Sequence, residues 1–267
     1  MGKVYASSDW HGSEIGFKVL NFLKSDDILY FIGDVVDRGT RGIELLDILM
    51  NRPNTYFIKG NHEDMMSFCL PYIIKDLQEI DCIEPEKYSN NNWFLNGGWQ
   101  TIEGGLIDKP IEKLYQYKEF IDNLPTELKY KSPKGHTIIL EHAGYTPFDI
   151  PHRSHDPLWD REHFYDRWDN GWGYEEKSKV GTTYLVHGHT PVQYLEFYYG
   201  YEGQPQKTKE MIKCGSQWNK SGNCDWIPEI IRYCDGHKID LDLCTIVSNR
   251  IALLDLDTFE VIYFDAN

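Results

Sequence analysis

The sequence predicts an α/β fold of two packed, mixed β-sheets flanked by helices. Three observations predict it. Apolar, strand-like runs alternate with amphipathic helices through the first third of the chain, a pattern that builds a largely parallel sheet covered by helices. Strand-like runs return at Thr137 and continue to the C-terminal end. One sheet holding all of these strands would be very wide, so two stacked sheets account for them better.

In chain order, Val4–Ser7 reads as the first strand. Glu14–Lys24 is helical, with Ile15, Val19, Leu20 and Leu23 on one face. Ile28–Ile32 is a short, wholly apolar run and reads as a buried strand. Gly42–Met50 is a helix stopped by Pro53, and Thr55–Ile58 is the third strand. A helix starts at Glu63 and runs into Leu70-Pro71. Residues 75–125 are mixed and mainly helical, with a glycine-rich turn at Asn96-Gly97-Gly98. Further strands are expected at Thr137–Glu141, Thr183–His187, Gln193–Phe197, Ile239–Val247, Arg250–Asp255 and Glu260–Phe264. The last two flank a short turn and read as a terminal antiparallel hairpin. Tyr198–His237 carries seven glycines and prolines together with Trp218 and Trp226, and reads as an irregular inserted lobe with the tryptophans in its core. The expectation is one domain over residues 1–267 with this lobe at about 198–237.

Composition narrows the function. The chain has 267 residues, 41% of them hydrophobic, which suits a single well-filled core. Its formal net charge is −15 and no basic stripe is present. That argues against nucleic acid and anionic membranes as main partners. No apolar run reaches membrane-spanning length, and the chain opens on a strand rather than a signal peptide, so a cytoplasmic location is expected. Six cysteines occur, the last four spaced by ten residues, which matches no zinc-finger pattern. Reduced thiols are expected.

The chemistry lies at strand ends. Gly33-Asp34-Val35-Val36-Asp37-Arg38-Gly39 leaves the second strand with two carboxylates and a guanidinium. Carboxylates suit hard divalent cations, and arginine suits phosphate. Ser8-Asp9-Trp10-His11-Gly12, Gly60-Asn61-His62-Glu63, His142-Ala143-Gly144 and His187-Gly188-His189-Thr190 follow four other strands. In open α/β sheets the carboxyl ends of parallel strands share one edge, where ligands bind. Asp34 and Asp37 taken alone would read as turn or cap residues. Together, Asp9, His11, Asp34, Asn61, His142 and His189 offer too many donors for one tetrahedral ion and suit two cations sharing a carboxylate.

These five segments, in this order, resemble the calcineurin-like metallophosphoesterases, and more narrowly the phosphoprotein phosphatase family of serine/threonine phosphatases in its bacterial and bacteriophage branch. Gly60-Asn61-His62-Glu63-Asp64-Met65-Met66, Asn96-Gly97-Gly98, Leu158-Trp159-Asp160-Arg161-Glu162 and Gly188-His189-Thr190-Pro191 carry the narrower likeness. The resemblance implies a four-layer α/β/β/α sandwich and a dinuclear centre of manganese, with iron or zinc as alternatives. It implies that Asp9 and His11 bind the first metal, that Asp34 bridges, and that Asn61, His142 and His189 bind the second. His62 is implied as general acid oriented by Asp37, with Arg38 and Arg161 on the phosphate and a metal-bridging hydroxide as nucleophile. The substrate expected is a phosphoprotein or a small phosphate ester; the oligomeric state is left open. A dinucleoside tetraphosphate hydrolase and a non-catalytic regulatory homologue are the competing readings.

Three departures stand out. Ser8 replaces a common glycine, and Pro191 stands where wider relatives carry a second histidine. Cys244-Thr245 replaces a usual Gly-Ala pair after Leu241-Asp242. His187 precedes the glycine of its motif and reads as a supporting residue.

Overall fold

The computed structural model describes residues 2–80, 82–145, 156–161, 182–192, 227–233 and 236–266. Two five-stranded sheets face each other, as expected. The first has the order β10-β9-β1-β2-β3, built from β1 (Val4–Ser7), β2 (Ile28–Ile32), β3 (Thr55–Ile58), β9 (Arg250–Asp255) and β10 (Val261–Asp265). β1, β2 and β3 run parallel, and the β9–β10 hairpin adds antiparallel beside β1. The second has the order β4-β5-β6-β8-β7, from β4 (Glu127–Lys131), β5 (Thr137–Glu141), β6 (Thr183–His187), β7 (Ile231–Tyr233) and β8 (Lys238–Asp240). β5, β6 and β8 run parallel, with β4 and β7 antiparallel at the two edges.

Alternation along the strands makes the layers. Tyr5, Leu29, Phe31, Phe57 and Leu253 point one way, onto Val19, Leu45, Leu46, Met66, Leu70 and Ile73 of α1 (Ile15–Phe22), α2 (Gly42–Asn51) and α3 (Asn61–Ile80). Val4, Ala6, Tyr30, Ile32 and Ile58 point the other way, onto Ile138, Leu140, Val186 and Ile239 of the second sheet. The central strands β1, β2 and β9 are therefore buried on both faces, which explains their continuous apolar runs.

Four expectations need correction. α3 does not stop near Pro71 but continues to Ile80. The apolar spacing Met66, Cys69, Leu70, Ile73, Ile74 carries on through the proline, and its packing offsets the lost backbone hydrogen bond. β4 was not foreseen: Glu-Leu-Lys-Tyr-Lys is a charged edge strand, whose outward lysines mask the alternation. The run Ile239–Val247 is not one strand. β8 ends at Asp240, whose Oδ1 accepts Asp242 N–H at 3.0 Å, while Asp242 Oδ1 accepts Cys244 N–H at 2.8 Å. Two successive carboxylate turns break the ladder and lead into α6 (Thr245–Ser248). Finally, Ile231–Tyr233 belongs to the second sheet, although it falls inside the segment read as an irregular lobe. The rest of that segment up to residue 226, including Trp218 and Trp226, and the expected strand Gln193–Phe197 lie outside the described residues.

The middle of the chain forms irregular helical turns at Pro85–Tyr88, Phe94–Gly98 and Ile102–Leu106, with α4 (Trp99–Thr101) between the last two, then α5 (Ile111–Asp122). Asp47 on α2 ties this region down. Its carboxylate accepts Lys109 Nζ at 2.7 Å and Tyr117 Oη at 3.0 Å, and pairs with Lys113 Nζ at 2.8 Å. Burial opposes ionisation of Asp47, but the hydrogen bonds from Lys109, Lys113 and Tyr117 outweigh it and lower its pKa. A carboxyl depressed in the folded state contributes stability above its unfolded pKa of about 3.9, and that stability is lost as pH falls through the lower folded value. Asp47→Asn is expected to cost about 1 kcal/mol at pH 7 after solvent screening, or about 2–4 °C in Tm. The gap from the unmodified protein should close in acid. Thermal melts at pH 7 and in acid check this, and coincident melts at pH 7 would contradict it.

Candidate metal centre

Six parallel strands, β1, β2, β3, β5, β6 and β8, deliver their carboxyl-end loops to one edge of the sandwich. The loop after β1 shows how the sequence sets the geometry. Trp10 is fully buried and packs edge-on against Phe31 at 4.8 Å, while its Nε1–H donates to Ser7 Oγ at 2.7 Å. Burying so large an apolar side chain contributes about 2–3 kcal/mol. That anchor sends the flanking Asp9 and His11 toward the opposite side. Both take left-handed backbone conformations, with φ of 56° and 45°. Seven of the ten described non-glycine residues with positive φ lie in these loops: Asp9, His11, Asp34, Asp37, Arg38, His189 and Cys244. Strain of this kind costs about 1–3 kcal/mol per residue and concentrates where the surrounding fold imposes function. Cys244, at φ 53°, occupies the left-handed region that favours glycine.

The structure brings all ten expected site residues together. Asp34 is central and almost wholly buried. Its Oδ1 lies 3.3 Å from His142 Nε2 and accepts His62 N–H at 3.1 Å. Its Oδ2 lies 3.7 Å from His11 Nε2 and 3.8 Å from His62 Nε2. Asp9 Oδ1 is 3.9 Å from His11 Nε2, and the Asp9 carboxylate accepts His189 N–H at 3.2 Å. Asn61 Oδ1 sits 2.9 Å from both His142 Nε2 and His189 Nδ1. Two histidines have their ring orientation fixed by main-chain oxygens: His11 Nδ1–H donates to Val36 O at 3.1 Å and His142 Nδ1–H to Ile32 O at 2.8 Å. Both Nε2 atoms therefore face inward. The His142 bond also joins a strand end of the second sheet to a strand end of the first.

Arg38 and Arg161 border the cluster. Arg38 Nη1 stands 2.8 Å from His11 Nε2 and its Nη2 3.0 Å from His62 Nε2, and Arg161 Nε donates to His189 Nε2 at 3.1 Å. His62 Nδ1–H donates to Asp37 Oδ2 at 2.7 Å. His187 lies apart in function. It is buried, its Nδ1–H donates to Gly188 O at 3.0 Å, and burial pushes its pKa down to about 3, so it is a neutral supporting residue.

Two donor groups could each hold a cation, His11–Asp34–His62 and Asp34–His142–His189, and they share Asp34. Donors on one first-row cation stand at most about 4.4 Å apart, twice a bond of about 2.2 Å. The separations of 3.3–3.8 Å around Asp34, and of 3.9 Å between Asp9 and His11, meet that limit. Charge asks for the same occupant. Asp9, Asp34 and Asp242 are each no more than 2% exposed, and the charges of Asp242 and Asp34 both act on Asp9. Buried carboxylates of this density are costly unless they are paired or coordinate metals. Burial and then the Asp242 charge raise the Asp9 pKa well above the usual carboxylate range. Burial also opposes Asp34, but the charges of His142 and His62 outweigh it and hold Asp34 well below that range. Burial lowers the basicity of His142, yet Asp34 and Asp9 drive its pKa up to about 10. The donor set and the charge both fit divalent cations.

Residues 2–241 match the family model described as calcineurin-like phosphoesterase. The chain belongs to the calcineurin-like phosphoesterase family. The family's description as a phosphoesterase agrees with the enzyme class expected from the sequence. Serine/threonine-protein phosphatase 2 of Salmonella typhimurium is 27% identical over 128 residues, which is 47% of this chain and 49% of that protein, so the match spans about half of the curated relative's length. Among solved structures, a point mutant of a cold-active protein tyrosine phosphatase superposes with a TM-score of 0.54 at 17% identity, over 98% of this chain and 77% of that one. A protein proposed to be a diadenosine tetraphosphatase gives 0.52 at 15% identity, over 98% and 92%. At these identities the two structures bear on the fold alone, and they agree with a phosphoesterase sandwich.

Several residues of this phosphoesterase site were not foreseen. Glu63 Oε2 accepts the N–H groups of Asp34 and Gly60 at 2.8 and 3.0 Å, and its Oε1 accepts Val35 N–H at 2.7 Å. Asp240 and Asp242 escaped because their segment read as a strand. Trp93 and Thr101 both contact Asp37, from a stretch with no periodic signal. For Glu63, the signal was a carboxylate one residue beyond a candidate catalytic histidine, at the start of a helix.

Proposed function

We propose that this phosphoesterase is a dinuclear-metal-dependent phosphomonoesterase that acts on phosphoserine and phosphothreonine in proteins, with phosphotyrosine as a further substrate. One observation carries the reading: the two oxygens of Asp34 face separate donor groups, and the buried Asp37–His62 pair and two arginines stand beside them. In this reading Asp9, His11 and Asp34 hold one cation, and Asp34, Asn61, His142 and His189 hold the other. Mixed nitrogen and oxygen donors suit manganese, iron or zinc, and manganese is the choice for assay. Bound there, two divalent cations supply Lewis acidity toward the phosphoryl group and a water activated near neutral pH.

The protein's own groups do the rest. Arg38 and Arg161 present guanidinium N–H groups to the phosphoryl oxygens and orient the ester. A serine or threonine alkoxide is a poor leaving group and needs a proton as the P–O bond breaks. His62 supplies it from Nε2, because Asp37 accepts the Nδ1–H and so fixes which nitrogen faces the pocket. The Salmonella typhimurium relative supports a serine/threonine substrate. The described cysteines Cys69 and Cys82 are free thiols, as a reducing cytoplasm would leave them. No helix among the described residues is long and apolar enough to cross a membrane.

The test is a substrate panel. Purified protein with manganese is expected to release phosphate from a phosphoserine peptide and from an aryl phosphate, and a chelator should return both rates to background. Diadenosine tetraphosphate run alongside should be the poorer substrate. Cleavage of the tetraphosphate with the phosphopeptide left intact would replace this reading with the dinucleotide one, and turnover that ignores the chelator would end it.

A further inference from the structure

The turn Asn96-Gly97-Gly98 is shaped around the catalytic dyad. Gly97 has φ 103°, and its carbonyl accepts Arg38 N–H at 3.1 Å. A Cβ on Gly97 would lie 2.8 Å from Arg38 N, and one on Gly98 would lie 2.7–2.9 Å from the Trp93 indole. The glycines thus let this segment close over the Asp37–Arg38 loop, with Trp93 and Thr101 turned into the protein.

Both of these side chains end on Asp37. The Asp37 side chain is fully buried, as are Trp93 and Thr101. Asp37 Oδ2 accepts His62 Nδ1–H at 2.7 Å and Trp93 Nε1–H at 2.9 Å. Oδ1 shares the Trp93 Nε1–H, also at 2.9 Å, and accepts the Thr101 hydroxyl at 2.5 Å. Thr101 Oγ1 in turn accepts Asp37 N–H at 2.8 Å, which holds a residue whose φ is 70°. The acceptor capacity of the carboxylate is filled from three directions. Neither Trp93 nor Thr101 belongs to the donor groups around Asp34.

We propose that Trp93 and Thr101 are positioning residues for the proton transfer: they lock the Asp37 carboxylate, and through it the His62 ring, in the orientation that directs His62 Nε2 at the leaving oxygen. This rests on the reading of His62 as general acid. A carboxylate held only by the histidine could rotate about two side-chain bonds and take the ring with it. Small misplacements of a reacting group cost up to about 100-fold in rate.

The signature is sensitivity to the leaving group. An aryl phosphate such as p-nitrophenyl phosphate expels its phenolate without help, whereas phosphoserine needs the proton. His62→Asn is expected to lower kcat on a phosphoserine peptide by about 100-fold or more, with a smaller loss on the aryl ester. Thr101→Val and Trp93→Phe should each lower kcat on the peptide by about 10-fold and on the aryl ester by less than about 3-fold, a partial loss of the same contribution. Thr101→Ser, which keeps the hydroxyl, should restore the unmodified ratio of the two rates. Manganese content should match that of the unmodified protein in all four. If Trp93→Phe does not fold, the Thr101 pair decides alone. An unchanged ratio in Thr101→Val while His62→Asn shifts it would overturn the positioning role, and so would equal losses on both substrates. An unchanged ratio in His62→Asn would overturn the general-acid reading itself, and the positioning role with it.

Discussion

Asp34→Asn is expected to remove at least about 100-fold of kcat/KM, beyond the 10–100-fold typical of residues that only support metal ligands. Asp34 Oδ1 faces His142 and accepts His62 N–H, while Oδ2 faces His11 and His62. Asparagine can keep the first oxygen and its hydrogen bond. In place of the second it puts an N–H₂ group, which repels a cation and cannot be shared between two. The side chain stays nearly the same size, so the fold should survive. Metal analysis by mass spectrometry, together with phosphate release from an aryl ester, checks both halves of the prediction. The manganese content should fall by at least one ion per chain relative to the unmodified protein. Full activity with full metal content would remove Asp34 from the proposed ligand set and with it the basis of the proposed mechanism.

Most of the fold, and the gathering of the candidate site's residues at one sheet edge, was legible in the sequence, for a definite reason. Doubly buried strands such as Ile28–Ile32 and Thr137–Glu141 carry short apolar runs, and the polar residues that follow them fall at the sheet edge by construction. Asp9, Asp34, Asn61, His142 and His189 could each be placed from that rule. What escaped was structure fixed by side chain to backbone hydrogen bonds. The run from Ile239 onward looks strand-like because Ile239, Leu241 and Leu243 alternate, yet the Asp240 and Asp242 carboxylates capture backbone N–H groups and end the ladder. α3 escaped its expected stop because tertiary packing of Ile73 and Ile74 outweighs the local cost of Pro71. Trp93 and Thr101 carry no motif at all, because what matters is where a long irregular segment returns, and no local pattern encodes that.

Glu63→Ala is expected to be the most destabilising single change near the site. The Glu63 carboxylate is fully buried and stands at the start of α3, where the helix dipole favours an anion. It accepts N–H groups from Asp34 and Val35 on one loop and from Gly60 on another. Those bonds join the segment that follows β2 to the segment that follows β3, and so set the distance between Asp34 and Asn61. Burial and the Asp34 charge push its pKa up to about 7, against the N–H donors that favour the ionised form. Alanine would leave three buried N–H groups without partners, at about 1–3 kcal/mol each. Partial relaxation and water entry bring the expected total to about 3–5 kcal/mol, a large share of a typical folding stability of about 5–15 kcal/mol. Glu63→Gln should recover only part of this, because its amide N–H₂ meets N–H donors on one side. Urea denaturation of the metal-free and manganese-loaded protein measures the loss. A cation would bind these two loops through Asp34 and Asn61 only when they stand at their native separation, so manganese should add less stability to Glu63→Ala than it adds to the unmodified protein. Midpoints that coincide with those of the unmodified protein in both states would mean the loops are held by packing alone.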